Sequence, residues 1–241
     1  MNNRALQVSV ALLFAMVVAA CGPSPESCEY WKDKLQKMDK LDKAVREVGD
    51  KKCKGVFKEL EKVWDTGRIR DRVLQAVKKI NDPKGAEALI IKALGDTRSG
   101  AIAAYLVRDW KIKAAEPALK KVVRNDGAEP FVKAANLKAL LSFGKKEHED
   151  FLLEVLKTNP DQQGIALNRI AAQALGEIRS VKAVPYLINA LYMEQGKQNA
   201  YGEASLALVR MSKEAAPMLI KSLEGKNEIL NAYAKKNRLY D

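Results

Sequence analysis

Few residues of this sequence have side chains that can perform nucleophilic, acid–base or metal chemistry. The 241 residues include one histidine, His148, three cysteines and 14 glycines. A metal centre needs several converging ligands, a histidine relay needs an adjacent nucleophile and orienting group, and a phosphate loop needs closely spaced glycines. These counts leave little for any of them. Most enzyme classes are therefore disfavoured, and we expect no catalytic residues, no cofactor, no bound metal and no small-molecule substrate.

The composition is that of a folded, basic chain. Lys and Arg number 42 against 30 Asp and Glu, giving a formal charge of +12, and 47% of the residues are hydrophobic. This profile suits one globular or repeat domain, and it excludes a disordered tail or a multi-pass membrane protein. A basic balance normally suggests nucleic acid as a partner.

The first 20 residues have the pattern of a secretory signal. An uninterrupted apolar run covers residues 10–20, which is well short of the ~20 residues that a membrane-spanning helix needs. The run ends in Val18-Ala19-Ala20-Cys21, which resembles the lipobox of bacterial lipoproteins. This resemblance implies that Cys21 is lipidated and becomes the first residue of the mature chain. The alternative is an ordinary signal cleaved elsewhere, with Cys21 a free thiol.

The expected location follows from this signal. Gly22 after the cysteine resembles the outer-membrane sorting pattern of enteric bacteria, so we expect a lipid-anchored protein on the periplasmic side of the outer membrane. An exported, tethered chain seldom meets nucleic acid, and we expect no nucleic-acid partner. Anionic lipid, lipopolysaccharide or an acidic protein is the more sensible counterpart of the positive charge.

A block of two short helices recurs along the chain. It is clearest in residues 171–191, and its second half reappears at residues 86–94, 115–123, 148–156 and 215–223. In that half Val184, Leu187, Ile188 and Leu191 lie at i, i+3, i+4 and i+7, which gives one apolar stripe. A single hairpin cannot bury this stripe, but stacked neighbours can. Pro117, Pro185 and Pro217 are expected in the first turns of their helices.

The block resembles a HEAT-type repeat, close to the short bacterial form found in phycobilin lyases, over roughly residues 40–223. No segment alternates with the period of a strand. We therefore predict an all-α fold, an α-solenoid of about five to six HEAT-like helical hairpins with N- and C-terminal capping helices. The predicted parts are a signal peptide (1–20), a tether (21–27), an N-terminal cap with a first degenerate repeat (28–66), HEAT-like repeats (67–225) and a C-terminal capping helix (226–241).

Two cysteines remain once Cys21 is set aside. If residues 28–47 formed one helix, its start would lie about 30 Å from its end, and Cys28 could not reach Cys53, because bonded α-carbons lie within ~7 Å. If the chain instead turns near Asp39, the start of the first helix meets the start of the helix carrying Cys53. We predict this turn and the disulfide. The alternative is two buried free thiols.

The pair His148-Glu149 resembles the His-Glu pairs of deoxyhypusine hydroxylase, a HEAT-like metalloenzyme. That family needs several pairs to hold two irons, and this chain has one. We therefore predict a surface histidine at a helix start. The resemblance to phycobilin lyase repeats leaves a lyase-like enzyme as a minor alternative.

The resemblance to HEAT solenoids implies a partner-binding face, because in that family the second helices line the concave side. The relevant positions lie one and four residues after the position of Pro185. The first row reads Leu89, Ala118, Phe151, Tyr186 and Met218, and the second reads Lys92, Lys121, Glu154, Asn189 and Lys221. An apolar row beside a mostly basic row suits an acidic, partly hydrophobic segment. The alternative is that the apolar row belongs to the core and that the lysines are simply solvated.

The functional hypothesis is a membrane-anchored envelope lipoprotein that acts as a protein-binding scaffold or adaptor for another envelope protein. The alternative, of a different class, is a basic module that binds anionic lipid or lipopolysaccharide surfaces.

Overall fold

A computed structural model describes residues 23–237 and 239. The chain forms two compact units, which divide between Leu89 and Ile90. The predicted signal peptide and Cys21 lie outside the described residues. Among the helices of the described segment, none combines the length and the apolar character that a bilayer span requires.

The first unit contains short helices that follow one another closely. They are α1 (Cys28–Gln36), α2 (Leu41–Asp50), α3 (Phe57–Asp65), α4 (Arg70–Ile80) and the beginning of α5 (Pro83–Ala93). Helix α2 packs against both α1 and α4. A Cβ built at Gly49 would lie 2.9 Å from the Cα of Ala76. The glycine therefore permits the close approach of α2 and α4.

The predicted disulfide between Cys28 and Cys53 is present in this unit, with a Cα–Cα distance of 5.5 Å. The predicted turn is also present, because Met38 and Lys40, which flank Asp39, have positive φ angles of 52° and 47°. One detail of the prediction is wrong. Cys53 lies in the turn that joins α2 to α3, because the next helix begins only at Phe57.

The second unit is a series of helical hairpins. Four hairpins follow the end of α5, and they are α6 (Gly100–Trp110) with α7 (Glu116–Arg124), α8 (Pro130–Leu141) with α9 (Glu149–Lys157), α11 (Ile165–Glu177) with α12 (Val184–Ala190), and α13 (Tyr201–Arg210) with α14 (Ser212–Leu223). Two further helices lie outside these hairpins. The short α10 (Pro160–Gln163) precedes α11, and α15 (Glu228–Lys236) follows α14. The first helices pack in order, α6 on α8, α8 on α11 and α11 on α13. The predicted all-α architecture of HEAT-like hairpins is confirmed.

Local chemistry sets the helix starts and the spacing between hairpins. Pro117 and Pro185 lie in the first turns of α7 and α12, where the missing N–H is not needed. Pro217 was expected in a first turn, but it lies inside α14, which begins five residues earlier at Ser212. A Cβ at Gly176 would lie 2.5 Å from the Cβ of Ala207, so α11 and α13 are in close contact.

A small strand pair interrupts the helical pattern of the second unit. Residues Glu194–Gln195 (β1) pair antiparallel with Gln198–Asn199 (β2). Strands of two residues are too short to show an alternation in sequence, so the expectation of a chain without strands missed them. The Gln195 side chain accepts a hydrogen bond from the Ile165 amide at 3.1 Å and donates one to the Pro160 carbonyl at 3.0 Å. The hairpin thus holds the start of α11.

A buried amide links successive hairpins. The side-chain Nδ2 of Asn168 in α11 donates to the carbonyls of Val155, Leu156 and Thr158, at 3.3, 3.2 and 2.8 Å. The last carbonyls of a helix have no hydrogen-bond donor within that helix. Here the neighbouring hairpin supplies the donor, which is the Asn168 side-chain amide. Asn168 is not among the residues predicted from the sequence.

The first prediction concerns the disulfide. Replacing Cys53 with Ser should lower the free energy of unfolding by ~3 kcal/mol, because the bond closes a loop of 24 intervening residues and restricts the unfolded chain. Urea denaturation followed by tryptophan fluorescence measures this, since Trp31 and Trp64 are buried in the same unit. The double variant C28S/C53S should match the single one. An unfolding free energy equal to that of the wild type would contradict the prediction.

Candidate partner-binding face

The second helices α7, α9 and α12 of the second unit form one face, which we call the second-helix face. It contains six of the ten predicted positions, which are Ala118, Lys121, Phe151, Glu154, Tyr186 and Asn189. The remaining four lie on other helices, Leu89 and Lys92 on α5 and Met218 and Lys221 on α14.

The predicted apolar row is partly in the core. Leu89 is 2% exposed and Phe151 is 6% exposed, so neither offers its side chain to a partner. Tyr186 and Met218 are partly exposed. For Leu89 and Phe151 the alternative left open by the sequence applies, whereas Tyr186 and Met218, together with the small Ala118, keep some exposed surface for binding.

The predicted basic row is mostly at the surface. Lys92, Lys121 and Lys221 are exposed, as the prediction requires. Asn189 is buried at 6% exposure, and its side-chain oxygen has no hydrogen-bond partner among the described residues. The reason lies in the packing of the chain, because α15 packs against α12, the helix that carries Asn189.

Cations lie over both aromatic rings of the second-helix face. The Arg124 guanidinium is 4.9 Å and the Lys120 ammonium 5.8 Å from the centre of the Phe151 ring. The Lys157 ammonium is 4.1 Å from the centre of the Tyr186 ring. A cation over an aromatic face is attracted by the ring quadrupole. These three cations were not predicted from the sequence, because each ring is met by a cation from the preceding second helix.

One of these cations is neutralised within the chain. Arg124 donates to both carboxylate oxygens of Glu154 at 2.6 Å. Hydrogen bonding from Arg124 holds the pKa of the Glu154 carboxyl below its usual value, so the pair stays ionised well into the acidic range. Both side chains are about half exposed, and the pair therefore adds little stability.

The other cations of the second-helix face remain available. Within residues 23–237 and 239, no carboxylate lies within 4 Å of the ammonium groups of Lys120, Lys121 or Lys157. The face therefore has three lysines without an ion-pair partner among the described residues, and one of them lies over the partly exposed ring of Tyr186.

His148 lies next to this face, and the prediction that it is a surface residue is wrong. It is 4% exposed, and neither ring nitrogen has a hydrogen-bond partner. Burial lowers the pKa of the imidazole, and the positive charge of Lys120 and Lys113 lowers it further, while Glu116 and Glu147 act in the opposite direction.

A signal for this burial was present in the repeat pattern. His148 occupies the first position of the recurring second-helix block, and the other four blocks have an alanine there, each 0% exposed: Ala86, Ala115, Ala183 and Ala215. A position filled by a fully buried alanine in every other repeat is a core position. Among the described residues, no three His, Cys, Asp or Glu side chains are grouped to hold a metal ion.

The second prediction concerns His148 and acid. Because its pKa is lowered in the folded chain, the unfolded chain binds more protons once the pH falls below the usual histidine value of ~6.5. The free energy of unfolding should therefore fall as the pH decreases through this range. His148→Leu keeps the bulk and removes the titration, so the variant should lose less stability than the wild type between about pH 7.5 and about pH 5.5.

Urea denaturation at several pH values measures this difference. The carboxylates titrate in both proteins and cancel in the comparison. Parallel stability curves for the wild type and His148→Leu would show that the prediction is wrong.

The comparisons with known proteins agree with this architecture. The family model described as the PBS lyase HEAT-like repeat matches residues 167–192, which span most of α11 and all of α12. Neither the curated proteins nor the solved structures contain a significant match to the chain. With its helical hairpins and the matched repeat, the chain is a HEAT-like repeat protein.

Proposed function

We propose that the chain is a lipid-anchored protein of the bacterial envelope that binds an acidic segment of another envelope protein through the second-helix face. HEAT-like repeats suggest a helical scaffold. The proposal adds a membrane anchor, a binding face and a kind of partner to that scaffold.

The observation that carries the proposal is the arrangement at Tyr186. Its partly exposed ring lies beneath the Lys157 ammonium at 4.1 Å, and no described carboxylate lies within 4 Å of that ammonium. A partner carboxylate can pair with Lys157 while the apolar part of the same segment packs on the ring. In many interfaces a few residues provide most of the binding energy, and an aromatic side chain beside a charged one is typical of such residues.

The sequence before the folded part supports the anchor. Val18-Ala19-Ala20-Cys21 resembles a lipobox, and the Ser27 amide donates to the Ser24 carbonyl at 2.8 Å. Folded structure thus begins within about three residues of Cys21, a span of ~10 Å at most when extended. Two or more acyl chains would hold the protein stably on a membrane, so the body would lie close to the bilayer.

A binding role is proposed in preference to catalysis. His148 is the side chain with the most evident acid–base chemistry, and it is buried with both nitrogens unpartnered, where a substrate does not reach it. The name of the matched model describes a repeat, and the proposal transfers no lyase activity from it.

The third prediction tests the binding face in intact cells. The variant K121E/K157E should lose crosslinks, identified by mass spectrometry, to an envelope protein that the wild type captures, because it reverses two cations of the second-helix face. The matched control is K138E/K197E. It makes the same change of charge at two exposed lysines of the same unit, on α8 and in the strand hairpin, and it should keep the crosslinks.

The control separates the two hypotheses about the positive charge. Binding to anionic lipid or lipopolysaccharide depends on total charge, so both variants would then bind lipid equally weakly. Lipid binding by the wild type would also be lost at raised ionic strength. Equal loss of crosslinks in both variants, or the absence of any specific envelope protein, would contradict the proposed function.

A further inference from the structure

The described chain begins with a short segment that is fixed to the first unit. Residues 23–27 precede α1, and the Trp31 indole donates a hydrogen bond to the Pro25 carbonyl at 2.8 Å. The Lys51 ammonium is 2.9 Å from a carboxylate oxygen of Glu26. Together with the disulfide, these contacts hold the segment beside the turn that joins α2 to α3.

Helix α4 ends beside the same turn. Asp42, near the start of α2, pairs with Arg72, near the start of α4. Asp50, at the end of α2, pairs with Lys79, near the end of α4. The two helices therefore run parallel, and both end next to the segment that leads to the predicted anchor.

The start of α5 lies at this end as well. A Cβ at Gly85, in the first turn of α5, would collide with the ring of Phe57, the first residue of α3. We call this part of the first unit, residues 50–58 and 77–85, the tether end.

The tether end is strongly basic. It contains seven lysines and two aspartates, which give a local charge of +5. The opposite ends of α2, α3 and α4, which are residues 38–42 and 62–72, contain five basic and four acidic residues. The helix ends beside the predicted anchor thus have more positive charge than the opposite ends.

Most lysines of the tether end have no ion-pair partner. Five of them are exposed, and within residues 23–237 and 239 no carboxylate lies within 4 Å of their ammonium groups. These five are Lys52, Lys54, Lys58, Lys78 and Lys84.

The carboxylates nearby have other partners. Glu26 and Glu47 pair with Lys51, at 2.9 and 3.9 Å. Asp82 accepts a hydrogen bond from the Gly85 amide at 3.2 Å. The five lysines are therefore available to an anion from outside the chain.

The predicted anchor determines which anion these lysines meet. Lys52 and Lys54 flank Cys53, whose Cα is 5.5 Å from that of Cys28. Cys21 lies two residues before the first described residue, a span of ~7 Å at most. Acyl chains on this cysteine would place it at the level of the lipid headgroups, so the tether end would lie against the headgroup layer. Clustered lysines at that level are attracted to anionic headgroups.

We propose that the tether end binds the phosphate groups of anionic phospholipids in the leaflet that holds the anchor. The inference rests on the lipid anchor of the proposed function, and it adds a second contact with the membrane. The anchor alone leaves the first unit able to turn on the bilayer, whereas bound lysines give it one orientation. Because the anchor brings this end to the bilayer, the contact depends on these lysines and not on the total charge of the chain.

The fourth prediction is tested with the lipidated chain, inserted from detergent into preformed vesicles. Acylation by an uncharged amine-reactive ester, followed by mass spectrometry, measures how fast each lysine reacts. Lys52 and Lys54 should react about fivefold more slowly on vesicles that contain phosphatidylglycerol than on phosphatidylcholine alone, as the attraction of one lysine to an anionic surface predicts. Lys40 and Lys62, at the opposite ends of α2 and α3, should react equally on both.

A pair of variants tests whether the protection comes from the cluster. K52E/K54E should remove the protection of the other tether-end lysines, because it replaces two cations with anions. The matched control K40E/K62E makes the same change at two exposed lysines of the first unit and should keep the protection. Lys40 and Lys52 share a left-handed backbone, with φ angles of 47° and 52°, so the substitutions are also matched in conformation.

Flotation with phosphatidylcholine vesicles at high salt tests the anchor separately. A chain that fails to float has no anchor, and the proposed function and this inference are then both overturned. A chain that floats, but whose tether-end lysines react equally on the two kinds of vesicle, overturns the inference alone. Equal loss of protection in the two variants would also overturn it, because the contact would then depend on total charge.

Discussion

The structure of the second unit depends on one constraint, which is that each helical hairpin has an apolar stripe that it cannot bury alone and that neighbouring helices must cover. Leu187 and Ile188 on α12 are 0% and 2% exposed, whereas Ile220, the counterpart of Ile188 in the last hairpin, is 55% exposed. Burying an apolar side chain of this size contributes about 1.5–3 kcal/mol. Hairpin stacking is therefore the main source of stability in this unit, and small residues such as Gly176 allow the helices to come close enough.

The stacking also creates the second-helix face. Because second helices lie side by side, a cation on one reaches a ring on the next, as Arg124 does for Phe151 and Lys157 does for Tyr186. The same arrangement pairs Arg124 with Glu154 across two helices. The contacts between these cations and their rings or carboxylate are thus a product of the order of the repeats, and they exist only when neighbouring hairpins are in place.

The sequence predicts the repeating architecture well because the apolar stripe and the first-turn prolines are local patterns. It also predicts the Cys28–Cys53 disulfide, because a turn near Asp39 brings the start of the first helix close to Cys53. It does not predict which side chains of the second helices are buried. Phe151 is in the core and Tyr186 is partly exposed at equivalent positions, because burial there depends on how each hairpin is rotated against its neighbours. Asn189 is buried on the helix against which α15 packs, a contact that no short-range pattern reveals.

Native-state hydrogen exchange of the full chain tests the central claim most directly. If stability comes from neighbouring hairpins, amides of α11 should exchange most slowly, those of α13 faster, and those of α14 fastest. Helix α15 should be better protected than α14, although it lies further along the chain, because it packs on α12. Protection of α14 equal to that of α11, or a steady loss of protection from α13 through α15, would contradict the account.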